Sequence, residues 1–360
     1  MFDWSHVFIC DGVADVEFGS CMSALRSARA TSTYDELGSY VSTFQQPQSH
    51  GNNSHLFTAR ANANNYRKAA FTSDASDFLS LVPILFRYFT RVVIKRGVEI
   101  AKVTSFIAVL TVVIILQAVK VGGVDHNELH KAIERFCELC FLAYGADYMR
   151  PKHHYMLHLA DILRRLGMLH QCLTNERKHK LIRKYTGPRM NLKNWELGAL
   201  EDITCHQIHQ MAHPFFMAWS TSKPRGVVLN ALRELFPNDD MDSLTLHNRI
   251  KCNGGQATCG DVVSFDHHGT YSVGELLMTV GKQGDDGPQL FSCISIWSAL
   301  PTPEADREYK DTAVYLVSDD RVAVVETDSC VQTVFTHRKS ADRTSCTLCV
   351  PYECRQELCG

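Results

Sequence analysis

Three motifs that would open common enzyme classes are missing from the 360-residue sequence. It has no G-x-G-x-x-G nucleotide loop, no G-x-S-x-G nucleophile elbow and no H-E-x-x-H metalloprotease helix. The first residues, MFDWSHVFICDG, lack a positive region, an apolar stretch and a small-residue cleavage site, so no signal peptide is expected. An intracellular protein, nuclear or cytoplasmic, is the corresponding expectation. No internal repeat of fixed period occurs either. Long hydrophobic runs are limited to one, the seventeen uncharged residues between Lys102 and Lys120. A bilayer span needs about twenty predominantly apolar residues, so this run sits at the lower limit. A helical stretch follows it, HNELHKAIERFCELCFLAYG, and packing between the two predicts a core helix rather than a membrane span.

What is present fits a globular chain. Hydrophobic residues make up 45% and charged residues 21%, enough to build a core and too apolar for disorder. The fourteen cysteines force a choice among disulfides, metal ligands and free thiols. In a reducing compartment most are expected to be small buried hydrophobes.

The element pattern predicts an α+β protein. A strand-like VFIC and a Gly turn open residues 1–75, which also include a loop, QQPQSHGNNSH. From Ser76 the apolar spacing becomes helical, with Pro83 early in the run. Helices are expected at 99–119, at 125–144 between Asp125 and Gly145, in HYMLHLADILRRLGML, in NERKHKLIRKYT, and from Asn194. A mainly α-helical basic domain therefore covers 76–236. Residues 237–249 read as a linker. Residues 250–360 carry short runs (GDVVSF, YSVGELLMTV, FSCISIW, AVYLVS, VAVVET) that predict a small antiparallel β-domain, with an SH3-like barrel as its fold-level analogy.

The net charge of −2 hides an uneven distribution. From Arg150 to Lys193 lie eleven Lys or Arg against two carboxylates, Asp161 and Glu176, a local charge of +9. Clustered cations release phosphate counterions, so this segment is the candidate nucleic-acid contact. The residues singled out are Arg150, Lys152, His153, His154, Arg177, Lys178, Lys180, Arg183, Lys184, Arg189 and Lys193. A solvated helix face is the alternative. Tyr155, Tyr185 and Trp195 supply modest aromatic interleaving. No small-molecule substrate is expected.

Metal-ligand patterns are weaker. His206, His209 and His213 share one helix face, but i and i+7 lie about 10 Å apart along the axis, so three on one helix rarely meet one ion, whereas a pair with an outside ligand could bind zinc. Cys346, Cys349, Cys354 and Cys359 form C-x2-C-x4-C-x4-C, a candidate zinc set. Against it, TSCTLC reads as an edge-like strand, and alternation sends Cys346 and Cys349 to opposite faces.

Four phrases, taken in order, resemble one family. They are DWSHVFICDGVAD (3–15), SDASDFLSLVPIL (73–85), AYGADYMRPKHHYMLHLADIL (143–163) and NERKHKLIRKY (175–185). They resemble transposases of the CACTA (En/Spm-like) and related cut-and-paste DNA elements, of the kind abundant in dinoflagellate genomes. The resemblance implies an RNase H-like core interrupted by a helical insertion. It also implies three carboxylates holding two divalent ions, Mg2+ or Mn2+, for phosphoryl transfer on DNA. Asp3 and His6 match the family's D-x-x-H element, with Ser5 where many relatives carry Met. Glu176 stands where the last catalytic glutamate is placed, although pairing with Lys180 at i+4 explains it equally. The family's two catalytic aspartates precede the D-x-x-H element, and Asp11 and Asp15 follow it. The expectation is therefore a truncated copy without independent strand transfer, needing no cofactor of its own. Three readings stand: an inactive DNA-binding remnant, a decayed product without selected function, and, last, a membrane-associated protein using 103–119.

Overall fold

The computed structural model describes residues 3–9, 11–48, 53–119, 124–169, 195–212, 223–238, 241, 244–252, 255–284, 287–300, 314–317, 321–338 and 345–349. It is an α+β protein: apart from the short strand Phe44–Gln45, the described regular elements up to residue 235 are helical, and those after it are mainly antiparallel strands.

The helical part opens with α1 (Trp4–Phe8) and α2 (Val13–Ser27). The VFIC stretch expected as a strand is therefore helical through Phe8. Asp3 explains the difference: its carboxylate accepts the Ser5 N–H and starts a helix turn, and Trp4 and Phe8 then bury within the core. Next come α3 (Tyr34–Ser42), the short strand β1 (Phe44–Gln45), a 3-10 turn at Asn53–Phe57, and α4 (Ala59–Lys68). Helix α5 (Ala75–Tyr88) carries Pro83 well inside it and continues as a π turn, Phe89–Val93, before Gly97 reverses the chain in the left-handed region.

The long apolar run forms α6 (Ile100–Ala118), among the described residues the one helix long and apolar enough to cross a bilayer. Val103, Phe106, Val109, Leu110, Val112, Val113 and Leu116 are buried, and α2, α5 and α7 pack around the helix. Helix α7 (His126–Tyr144) starts at Asp125 and stops at Gly145, φ 82°, as its caps predict. The single helix expected next is two, α8 (Pro151–Leu157) and α9 (Leu159–Leu166), joined at His158. One core runs from Trp4 to Leu163, continuous across position 75. At its centre Phe18 stacks on Phe106 at 4.9 Å and touches Phe71 at 4.8 Å. Helices α10 (Trp195–Ala212) and α11 (Gly226–Leu235) follow.

The β-part starts earlier than expected. Thr245–His247, inside the predicted 237–249 linker, is strand β2 and pairs with residues 279–281 of the long β6 (Thr270–Gly284). Strand β6 also pairs with β5 (Val262–His267), the hairpin that prompted the barrel analogy, and with β7 (Gly287–Ile296). Strand β10 (Val322–Glu326) and strand β11 (Cys330–Thr333) extend this sheet to six strands. A hairpin, β3 (Arg249–Cys252) and β4 (Gly255–Thr258), stands beside it. The second sheet has the order β1-β12-β13-β9-β8, with β8 at Ser298–Leu300, β9 at Val314–Leu316, β12 at Phe335–Arg338 and β13 at Ser345–Cys349. Strand β13, expected at an edge, is internal, because β12 and β9 pair with its two sides.

Strand β1 belongs to the helical half of the chain yet pairs with β12. The loop after it is pinned by a buried carboxylate. Asp261 accepts the Gln48 N–H at 2.9 Å and the Thr258 N–H at 2.8 Å, and the Gln48 side-chain amide donates to the Cys259 carbonyl.

Helix α2 meets the turn after α4 closely at Gly19. A Cβ there would lie 2.2 Å from the Ala70 Cα and 2.3 Å from its nitrogen, so backbone would have to move. Gly19→Ala is expected to destabilise the chain by about 1–3 kcal/mol, the usual range for overpacking. The urea midpoint measures this, and an unchanged midpoint would mean that this close approach does not exist.

Candidate nucleic-acid interface and the adjoining groove

The described part of the basic segment is the pair α8–α9. Pro151 occupies the first helical turn, where its missing N–H costs no hydrogen bond. His153, Met156, Leu159, Ala160 and Leu163 turn inward and bury. Arg150, His154, Tyr155, Arg164 and Arg165 lie on the exposed side. Asp161, one of the segment's two carboxylates, sits beside Arg164 at 3.3 Å. The helix pair thus fixes the start of the basic run to the core and turns its arginines outward.

Two of the predicted contact residues have other work. The Lys152 ammonium donates to the His6 carbonyl at 2.8 Å and the Asp11 carbonyl at 2.9 Å, tying α8 to the end of α1. His153 is 3% exposed, and burial pulls its pKa below the ordinary histidine value. At that burial the ring turns into the protein rather than out to the basic face. Arg177, Lys178, Lys180, Arg183, Lys184, Arg189 and Lys193 lie outside the described residues, as does Glu176.

Asp3 and His6 do come together. Besides the Ser5 backbone N–H, the Asp3 carboxylate accepts the Ser5 hydroxyl at 2.8 Å and faces His6 Nδ1 at 2.5 Å. The D-x-x-H element and Lys152 are neighbours, which places phrases 3–15 and 143–163 side by side. Among the described residues no three His, Cys, Asp or Glu side chains converge for a metal. Cys346 and Cys349 lie three apart on β13. Cys354 and Cys359 are outside the described residues, as is His213; His206 and His209 fall on α10.

Sequence reasoning missed a buried polar cluster behind this face. Glu17 on α2 is 0% exposed. Its carboxylate accepts the Ser105 hydroxyl at 2.6 Å and the Cys140 thiol at 3.8 Å. The Arg150 N–H donates to His153 Nδ1, so the ring's hydrogen belongs on Nε2, which faces Cys140 Sγ at 3.8 Å. A chain of polar contacts therefore runs from the surface helix to the core. Burial, opposed first by the Ser105 hydroxyl, pushes the Glu17 pKa up to about 7. Burial, helped by the Asp11 charge, pushes Asp15 up to about 8. Burial also pushes the Cys140 thiol up, so it stays protonated rather than serving as a nucleophile. The signal for Glu17 was available: it lies four residues from Val13 and four from Cys21, on the apolar stripe of α2.

Between α7 and α8 opens a groove of about 520 Å³. Glu134, Cys137 and Glu138 form its α7 wall, and Arg150, His154 and Leu157 face them, with Met149 and His153 between. Glu134 is paired with His130 at 3.2 Å and Glu138 with Arg135 at 3.4 Å, both exposed pairs on α7 itself. No ion pair crosses the groove among the described residues.

No protein-family model, curated protein or solved structure matches this chain.

The raised acids set a pH dependence of stability. Their folded pKa values lie above the ordinary carboxylate range near 4, so folding takes up protons between that range and about 8. The stabilisation is complete below pH ~4 and is lost as pH rises through the folded values. His153, depressed by burial, works oppositely below its ordinary value and is silent above it. From pH 6.5 to 8 the urea midpoint is therefore expected to fall, and Asp15→Asn should flatten the fall. A midpoint that holds steady or climbs over that interval contradicts the buried-acid account.

Proposed function

We propose that this chain is a transposase-derived, intracellular protein that binds DNA through residues 150–193 and acts as a binding module rather than a strand-transfer enzyme. The observation that carries the reading is the arrangement of α8 and α9. Their inward face anchors them to the core, while Arg150, Arg164 and Arg165 point outward at the head of a segment with a local charge of +9. A polyanion meets that charge with little carboxylate opposition, and an acidic remainder repels it elsewhere. Support for a binding rather than a catalytic role comes from Asp3, whose oxygens hold Ser5 and His6 at the α1 terminus. The membrane reading is disfavoured by α6, whose apolar side chains are largely enclosed by α2, α5 and α7.

The test is duplex binding across a salt series, using the full chain and a variant with Arg177, Lys178, Lys180, Arg183 and Lys184 changed to Ala. For about six phosphate contacts, affinity should drop roughly 10³-fold between 50 and 200 mM salt. The variant should bind more weakly and with a shallower slope. Salt-insensitive binding, or equal binding by the variant, would leave the segment a solvated face and defeat the proposal.

A further inference from the structure

We infer that the groove between α7 and α8 receives one unpaired guanine of a bound nucleic acid, with Glu134 and Glu138 reading its N–H edge and Arg150 holding the adjoining phosphate. The inference rests on the nucleic-acid reading above and names what its surface selects.

The argument starts from the two walls. The groove's volume of about 520 Å³ falls within the roughly 300–1,000 Å³ of small-ligand pockets. One wall offers the carboxylates of Glu134 and Glu138, and the other offers Arg150 and His154. These opposite charges line one space without pairing across it. The α7 wall suits a phosphate poorly, because what it turns to the groove is two carboxylates, even with His130 and Arg135 beside them on α7. Its carboxylates accept hydrogen bonds only, so the group facing them must donate. The α8 wall suits an anion, and an arginine there matches phosphate oxygens two at a time. A nucleotide presents both chemistries at its two ends.

The bases differ in how well they satisfy the acidic wall. Guanine places a ring N–H and an amino group side by side, two parallel donors for one carboxylate. Adenine and cytosine offer an amino group flanked by a ring acceptor. Thymine offers one ring N–H between two carbonyls, which a carboxylate repels. In a duplex the guanine donors are taken by cytosine, so an unpaired base is required. Cys137, Met149 and Leu157 give the base apolar and sulfur contacts between the walls. Arg150 belongs both to this groove and to the outward basic face, so a strand tracking that face passes the groove's mouth.

Fluorescence polarisation of labelled 12-mers tests the idea with the full chain. One strand is oligo-dT, a second carries a single central dG, and a third is the dG strand annealed to its complement. The dG strand is expected to bind about tenfold more tightly than oligo-dT, in the range of one good bidentate base contact. Free GMP should compete and TMP should not. A Glu134→Gln, Glu138→Gln variant should bind duplex as well as the parent or better, while its preference for dG falls to about twofold or less. Both glutamates are exposed, and an unchanged thermal midpoint verifies the fold of the variant. Equal affinity for the dG and dT strands, with duplex binding still salt-sensitive, overturns the groove inference and leaves the basic-segment reading standing. Absence of binding to any of the three overturns both.

Discussion

A helix that is apolar on nearly every side has to be enclosed on nearly every side, and α6 imposes that requirement on residues 3–169. Its nineteen residues carry Val, Ile, Leu and Phe around most of the circumference, and α2, α5 and α7 surround them. Each large side chain fully withdrawn from water contributes about 1.5–3 kcal/mol, so the enclosure dominates the stability of this half. The aromatic cluster of Phe18, Phe71, Phe89 and Phe106 is where α2, α5 and α6 meet. The tight fit at Gly19 follows from the same demand, since α2 must lie flush against the α4 turn to cover its side of the core.

The enclosure has an electrostatic cost that the protein meets with hydrogen bonds. Glu17 and Asp15 ride into the core on α2 because the helix as a whole must face α6. Burying a charge without a partner is expensive, and the cheaper outcome is a carboxyl that keeps its proton to higher pH. Ser105, the polar residue of α6 that is wholly buried, stands where Glu17 needs a donor. Cys140 supplies a second, and His153 extends the contact to α8. Core packing and the placement of the surface helix are therefore joined through one polar cluster.

Helix α7 links that interior to the proposed binding surface. Its inner side, through Leu129, Ile133, Phe136 and Cys140, closes the core, while Glu134, Cys137 and Glu138 look into the groove. Lys152 holds the other wall by gripping the carbonyls of His6 and Asp11. The basic segment thus begins on an anchored helix, and its outward arginines owe their direction to Lys152 and to the buried residues of α8 and α9.

Local pattern made much of this legible. Asp125 and Gly145 mark the ends of α7 because capping and left-handed backbone are properties of a few adjacent residues. The strands of the C-terminal half follow from runs of Val, Ile, Phe and Tyr broken by turn formers, and the α6 run is apolar whatever surrounds it. Asp3 made Val7 and Phe8 helical by capping a turn that three consecutive apolar residues disguise. The rest came from partners far apart in the chain. Strand β1 pairs with β12, β13 is internal because β9 and β12 flank it, Lys152 binds carbonyls at positions 6 and 11, and Glu17 meets Ser105 and Cys140. Periodicity and capping act over a few residues, so the sequence by itself determined most of the long helices, the strand-rich C-terminal half and that one stretch is strongly basic. Which acid is buried, which cation is exposed and which walls make a groove depend on contacts between separate elements, from 13 residues apart at Cys140 and His153 to 146 at Lys152 and His6, and only the tertiary packing decided those.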